Sequence, residues 1–152
     1  MSFIVEYIKA ISSLTEQYRE YYNWILQNLK LWDGSNRDED KEKELINNGF
    51  IKVELRQCYY QSQIFSLIYD DYEYYEGWYI VKDFAVPIEH AFLVHNDKVV
   101  DVTARRAGLD VLEYGGVHIP RKFVLDYVIK HKECVDLLPR YYLSKKDASS
   151  NC

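Results

Sequence analysis

No stretch of this 152-residue chain approaches the run of about 20 apolar residues that a membrane-spanning helix needs. The start lacks the basic region and apolar core of a secretion signal, so the expected location is cytoplasmic, with no membrane partner. Cysteine is scarce. Cys58, Cys134 and Cys152 contain no pair at metal-ligand spacing, and an odd count without a secretion signal speaks against a disulfide framework. Basic charge is also in deficit, with 19 Lys and Arg against 24 Asp and Glu and a net charge of −5. Nucleic-acid affinity rests on cations neutralising phosphates, so no nucleic-acid partner is expected. The chain has no glycine-rich phosphate loop, dinucleotide fingerprint, internal repeat or low-complexity tract.

A hydrophobic fraction of 48% with 28% charged residues fits a folded globular chain, and the length fits one domain. Tyrosine is abundant, 15 residues against 6 Gly and 3 Pro. Its apolar body and polar tip suit either a core rim or an adhesive surface, and composition does not choose between them.

Ile4, Ile8, Ile11, Tyr18, Tyr22, Ile25, Leu29 and Trp32 recur at helical spacing, interrupted at Thr15, and predict one long amphipathic helix over residues 3–32. Its stripe either covers the domain core or pairs two chains in a homodimeric coiled coil. Residues 33–43 form a polar loop leading into a short helix that ends at Asn48-Gly49, and Phe50 to Leu55 form an approach segment of uncertain type. From Cys58 the pattern is helical again, with an apolar face at Ile64, Phe65, Leu67 and Ile68. Tyr72 to Val81 reads as a strand, Ala104 to Asp110 as a charged loop, and Val111–Tyr114 and Val117–Ile119 as short strands around a Gly115-Gly116 turn. Pro120 opens a helix carrying Phe123, Val124, Tyr127 and Val128. The fold class is α+β: a single domain over residues 1–143, with its core in 50–143, and a flexible polar tail over 144–152.

The centre of the pattern is Pro87 to Thr103, where two apolar, β-branched runs flank Asn96-Asp97. Those two residue types tolerate the positive φ angles of a two-residue hairpin turn. With that turn, Phe92 faces Asp101 and His90 faces Thr103, so His90, Phe92, Asp101 and Thr103 share one face and Ala91, Leu93, Val100 and Val102 the other. His90 and Asp101 become diagonal neighbours about 7–8 Å apart, within reach of an imidazole to carboxylate hydrogen bond. His95 falls on the opposite face, solvated beside the turn. Cys58, at the first turn of its helix, meets the positive end of the helix dipole and free backbone N–H groups, which favour a thiolate. Such a thiolate attacks an acyl carbon, an imidazole shuttles the proton, and a carboxylate orients the imidazole. The oxyanion then needs donors, for which the Cys58 N–H and the adjacent Gln57 amide are the candidates. Trp78 and Tyr59 are candidates for a substrate-binding aromatic rim. His131 and Cys134 lie three apart but lack two further ligands for zinc, so no metal site is assigned.

Cys58, His90-Ala91-Phe92 and Asp101-Val102-Thr103, with Glu76-Gly77-Trp78-Tyr79 between, resemble the pattern of papain-like and transglutaminase-like cysteine enzymes, particularly small microbial and phage members. The resemblance spans roughly residues 56–125. It implies a helix-borne cysteine packed on an antiparallel sheet, with Cys58 as nucleophile, His90 as base and Asp101 as orienter. It further implies acyl-transfer chemistry on a protein or peptide substrate, whether peptide, isopeptide or amide cleavage, deamidation or transamidation, with no cofactor. In papain-type enzymes the oxyanion glutamine lies several residues ahead of the cysteine, whereas Gln57 is adjacent to it. A second function class stays open: a non-catalytic protein-binding module, such as a phage-type inhibitor or adaptor of a host protein, gripping its partner through tyrosines and the long helix.

Overall fold

Thr15 decides the shape of the N-terminal region. Ser2 caps helix α1 (Phe3–Leu14), its hydroxyl accepting from the Val5 N–H at 3.1 Å, and Thr15 ends it in extended backbone at φ −127°. A 3-10 turn (Glu16–Tyr18) then reverses the chain into α2 (Arg19–Asn28), and the Ser12 hydroxyl donates to Asn23 Oδ1 across the resulting hairpin. The expected single helix over 3–32 is therefore two helices and a strand, because the gap at Thr15 is a break and Trp32 belongs to β1 (Lys30–Asp33). Ile4, Ile8 and Ile25 of the apolar stripe are fully buried in the chain's own core, whereas Tyr18 is exposed.

The computed structural model describes residues 1–49, 51–54 and 56–150. Phe50 and Leu55 of the expected approach segment, and Cys152, lie outside the described residues. After β1 the chain forms α3 (Glu39–Asn48), α4 (Cys58–Ile68), β2 (Glu73–Val81), β3 (Phe84–His95), β4 (Lys98–Val100), α5 (Val102–Ala107), β5 (Val111–Ile119), α6 (Arg121–His131) and α7 (Leu138–Ser150). The strands make one antiparallel sheet in the order β1-β5-β2-β3-β4. The fold is α+β, and the residues expected as a frayed tail continue α7 as far as Ser150. Among the described residues, no helix is long and apolar enough to cross a membrane.

The hairpin forms in the expected register. Asn96 and Asp97 take φ values of 48° and 64°, and His95 pairs with Lys98, Val94 with Val99 and Leu93 with Val100. Ala91, Leu93, Val100 and Val102 pack into the larger core against α1, α2 and α4, while Phe92, Val94 and Val99 join Trp32, Tyr75 and Tyr114 on the opposite face. Beyond Val100 the register stops applying. Asp101 opens α5 in place of continuing a strand, and Ala104 belongs to that helix, not to a loop. Thr103 accordingly leaves the His90 face and receives the Gln61 amide of α4 at 3.5 Å. His95 is half-buried 4.0 Å from Asp38, where full solvation is expected from its place beside the turn.

Gly115 and Gly116 are not a turn. They lie inside a continuous β5, opposite Trp78 and Gly77 of β2. A Cβ built on Gly77 would come 2.1 Å from the Gly115 carbonyl oxygen, so glycine serves close strand approach here.

Candidate active site

Asp101 is placed by two separate devices. It follows β4 and caps α5, its Oδ1 accepting from the Ala104 N–H at 3.0 Å. Its own N–H donates to Glu42 Oε2 at 2.7 Å. Glu42 is fully buried and held by Arg37 through two bonds of 3.0 Å, and by Arg105 at 3.2 Å. The backbone of Asp101 is thus anchored to an ion-paired cluster before its side chain does anything.

Asp101 Oδ2 meets His90 Nε2 at 2.8 Å and accepts the Tyr114 hydroxyl at 2.8 Å. All three residues are buried. Burial and the Asp101 charge push the Tyr114 phenol well above its ordinary range, so it stays a donor. For Asp101, burial opposes ionisation, yet His90, the Ala104 N–H and the Tyr114 hydroxyl outweigh it and hold the carboxyl below its usual range. For His90, burial opposes the charged form. Asp101 and Cys58 outweigh that and push the imidazole up to about 10.

Nε2 is committed to Asp101, and Cys58 is a close enough neighbour of the imidazole to help raise it. Tyr79 closes the ring's face, with centroids 3.9 Å apart and planes 8° from parallel. Ring orientation is therefore fixed by one carboxylate and one aromatic plate.

Cys58 is the first residue of α4 and is half-buried, with a free thiol. Gln57, the residue ahead, makes no side-chain cap, so the first-turn N–H groups of Cys58, Tyr59 and Tyr60 have no side-chain capping acceptor among the described residues. Arg56 before it takes φ 67°, a left-handed conformation uncommon for a long side chain, and sharpens the approach to the helix. Gln61 holds that approach in place, accepting from the Glu54 N–H at 3.0 Å and donating to the Glu54 carbonyl at 2.6 Å.

Of the sequence candidates, Cys58, His90 and Asp101 come together. Gln57 is exposed at the helix start with no hydrogen-bond partner of its side chain among the described residues. Trp78 is a core residue rather than an exposed rim, although with Tyr59 it lines a small cavity of about 40 Å³ beside Glu76, Glu89 and Asp136. Sequence reading missed Tyr79, Tyr114 and the pair Glu42 and Arg37. Nothing local distinguishes Tyr79 and Tyr114 among 15 tyrosines; only their alignment in register on the His90 side of the sheet does. Among the described residues, no group of three His, Cys, Asp or Glu side chains is placed to hold a metal.

No family model, curated protein or solved structure matches the chain. The functional reading accordingly stands on the site's own geometry.

Proposed function

We propose that this chain is a cysteine-dependent acyl-transfer enzyme of the papain-like and transglutaminase-like kind, acting on a protein or peptide amide. The observation that carries this is the placement of His90, bonded at 2.8 Å through Nε2 to the buried Asp101 carboxylate and neighboured by the half-buried thiol of Cys58 at the start of α4. A structural histidine needs one partner; a histidine held between a carboxylate and a helix-opening thiol has the connectivity of a nucleophile, base and orienter.

In this reading the Cys58 thiolate attacks the substrate carbonyl carbon, and the oxygen takes the displaced electron pair. First-turn N–H groups of α4 stabilise that oxyanion. As the tetrahedral species collapses, the C–N bond breaks, and the leaving amine takes its proton from protonated His90. A thioester then stands on Cys58. Water attacks it, neutral His90 accepts the water's proton, and the acid leaves as the thiol regains its charge. A primary amine in place of water gives transamidation by the same steps. Asp101 holds the ring and stabilises its charged form throughout.

The test is turnover of a peptide-amide library, read by mass spectrometry. Wild-type cleavage or deamidation lost in Cys58→Ala and His90→Ala supports the reading. A partner-binding function that Cys58→Ala leaves intact, with no turnover, would support the binding-module reading in its place.

A further inference from the structure

β3 has 12 residues but β4 only 3, and β4 covers β3 only at Leu93 to His95. The rest of β3 has β2 on one side and, among the described residues, no strand on the other. The turn fixes which groups face that free side. His95 and Lys98 close a two-residue hairpin and so exchange hydrogen bonds, as do Leu93 and Val100, whereas Val99 points away from β3 and bonds with Asn36 and Asp38. Odd-numbered residues of β3 therefore direct N–H and C=O toward the β4 side. Ala91 conforms, its carbonyl accepting the Ser62 hydroxyl of α4 at 3.4 Å.

Continuing outward, the N–H and C=O of Glu89 face the open side with no partner among the described residues. Pro87 lies just beyond the Tyr79–Ile88 pair, where the β2–β3 register shifts, and has no N–H to offer a neighbouring strand. Phe84, Val86 and Ile88 on this stretch are exposed apolar side chains. Cys58 and Ser62 lie one helical turn apart on one face of α4, and Ser62 touches this edge at Ala91. The edge thus runs from Glu89 to Ala91, where α4 touches it at Ser62, one helical turn from Cys58.

We propose that this open edge of β3 is where the substrate docks, as an extended polypeptide segment that adds a strand beside Pro87 to Glu89 and so carries its acyl carbon to Cys58. The inference rests on the cysteine-enzyme reading and names its substrate class: an extended chain, not a compact small amide. A paired strand lies about 4.8 Å from its neighbour, on the side where α4 begins. The edge favours a substrate segment over a second copy of the chain because it leads to His90 and Cys58, while Pro87 removes a donor that a long self-paired ladder would need.

The experiment compares two thiol-alkylating probes, acetyl-alanine chloromethyl ketone and its tetra-alanine homologue, with iodoacetamide measured alongside, following Cys58 by mass spectrometry. The longer probe is expected to react about tenfold faster, as one or two added net hydrogen bonds imply. N-methylation of one backbone amide in the longer probe removes that gain without altering the protein. Glu89→Pro, which deletes one edge donor and spares the bonds to β2, likewise lowers the ratio of long-probe to short-probe rates. Equal rates for the two probes with a reactive Cys58 overturn the edge proposal alone. Cys58 inert to iodoacetamide in the folded protein overturns the enzyme reading and this proposal with it. A dimer in sedimentation that Glu89→Pro dissociates assigns the edge to a second copy and overturns the proposal.

Discussion

The Tyr79 ring lies flat against the imidazole of His90, 3.9 Å between centroids, and leaves the ring no second orientation on that side. Tyr79→Ala removes a nearly buried aromatic and is expected to cost about 3 kcal/mol in urea unfolding. Beyond that loss, it frees the imidazole to rotate, so the Cys58 alkylation rate falls as well. Tyr79→Phe keeps the plate and is expected to keep both. A Tyr79→Ala variant that loses stability and retains the full alkylation rate would show the stacking to be packing only.

The His90 and Asp101 pair sets a pH dependence with a definite sign. His90 is raised from 6.5 to about 10 on folding, so its contribution is complete below about pH 6.5 and is lost as pH climbs through 10. Asp101 is lowered on folding, so its contribution is present above its ordinary value of 3.8 and is lost as pH falls below it. Urea midpoints of wild type are therefore expected to decline between pH 7 and 10 more steeply than those of Asp101→Asn. Parallel curves would contradict the pairing.

Glu76 behaves in the opposite manner to Asp101. It is buried with no cation beside it among the described residues, accepts from the Tyr74 hydroxyl at 2.6 Å and from the N–H groups of Leu137 and Leu138, and burial pushes it up to about 7. Folding then binds a proton between its ordinary 4.5 and 7, so this group's contribution falls as pH rises through that window. Glu76→Gln removes that slope. Glu76→Ala leaves three donors unpaired and is expected to cost roughly 2–4 kcal/mol. Carboxyl carbon chemical shifts against pH measure the titration directly, and a midpoint near 4.5 would refute it.

Gln57 offers a test of the oxyanion donors. Among the described residues, its amide makes no hydrogen bond and the first-turn N–H groups beside it have no side-chain cap. Gln57→Ala is expected to change turnover by less than about threefold, against the roughly 10²–10³ that loss of an oxyanion donor costs. A loss of that size would transfer the oxyanion role to Gln57.

The sequence displays the hairpin because a two-residue Asn-Asp turn fixes strand parity, and parity fixes which core each neighbour joins. The pairing of His90 with Asp101 follows, although through a helix cap in place of a diagonal contact. That cap has its own signal: Asp101 opens a run that Gly108 closes at φ 67°, an N-cap and a C-terminal glycine around six residues. Val102 and Thr103, both β-branched, mask it by reading as strand. The Gly115-Gly116 pair misleads in the same way, since glycine permits turns and close strand approach alike, and only the partner Gly77 distinguishes them. Thr15 is one polar residue in an otherwise regular stripe, and tertiary packing of α1 on α2 makes it a break.

The central claim is that Cys58 is a nucleophile set by His90, and the rate of alkylation of each cysteine by iodoacetamide, followed by mass spectrometry at pH 6 to 9, tests it most directly. The account predicts that half-buried Cys58 reacts far faster than half-buried Cys134 at the low end of that range, and that His90→Ala removes the difference. Burial pushes the Cys134 thiol up, which makes it the internal control. If Cys58 reacts no faster than Cys134, or keeps its rate without His90, the thiol and the imidazole are neighbours in a core and not parts of a catalyst.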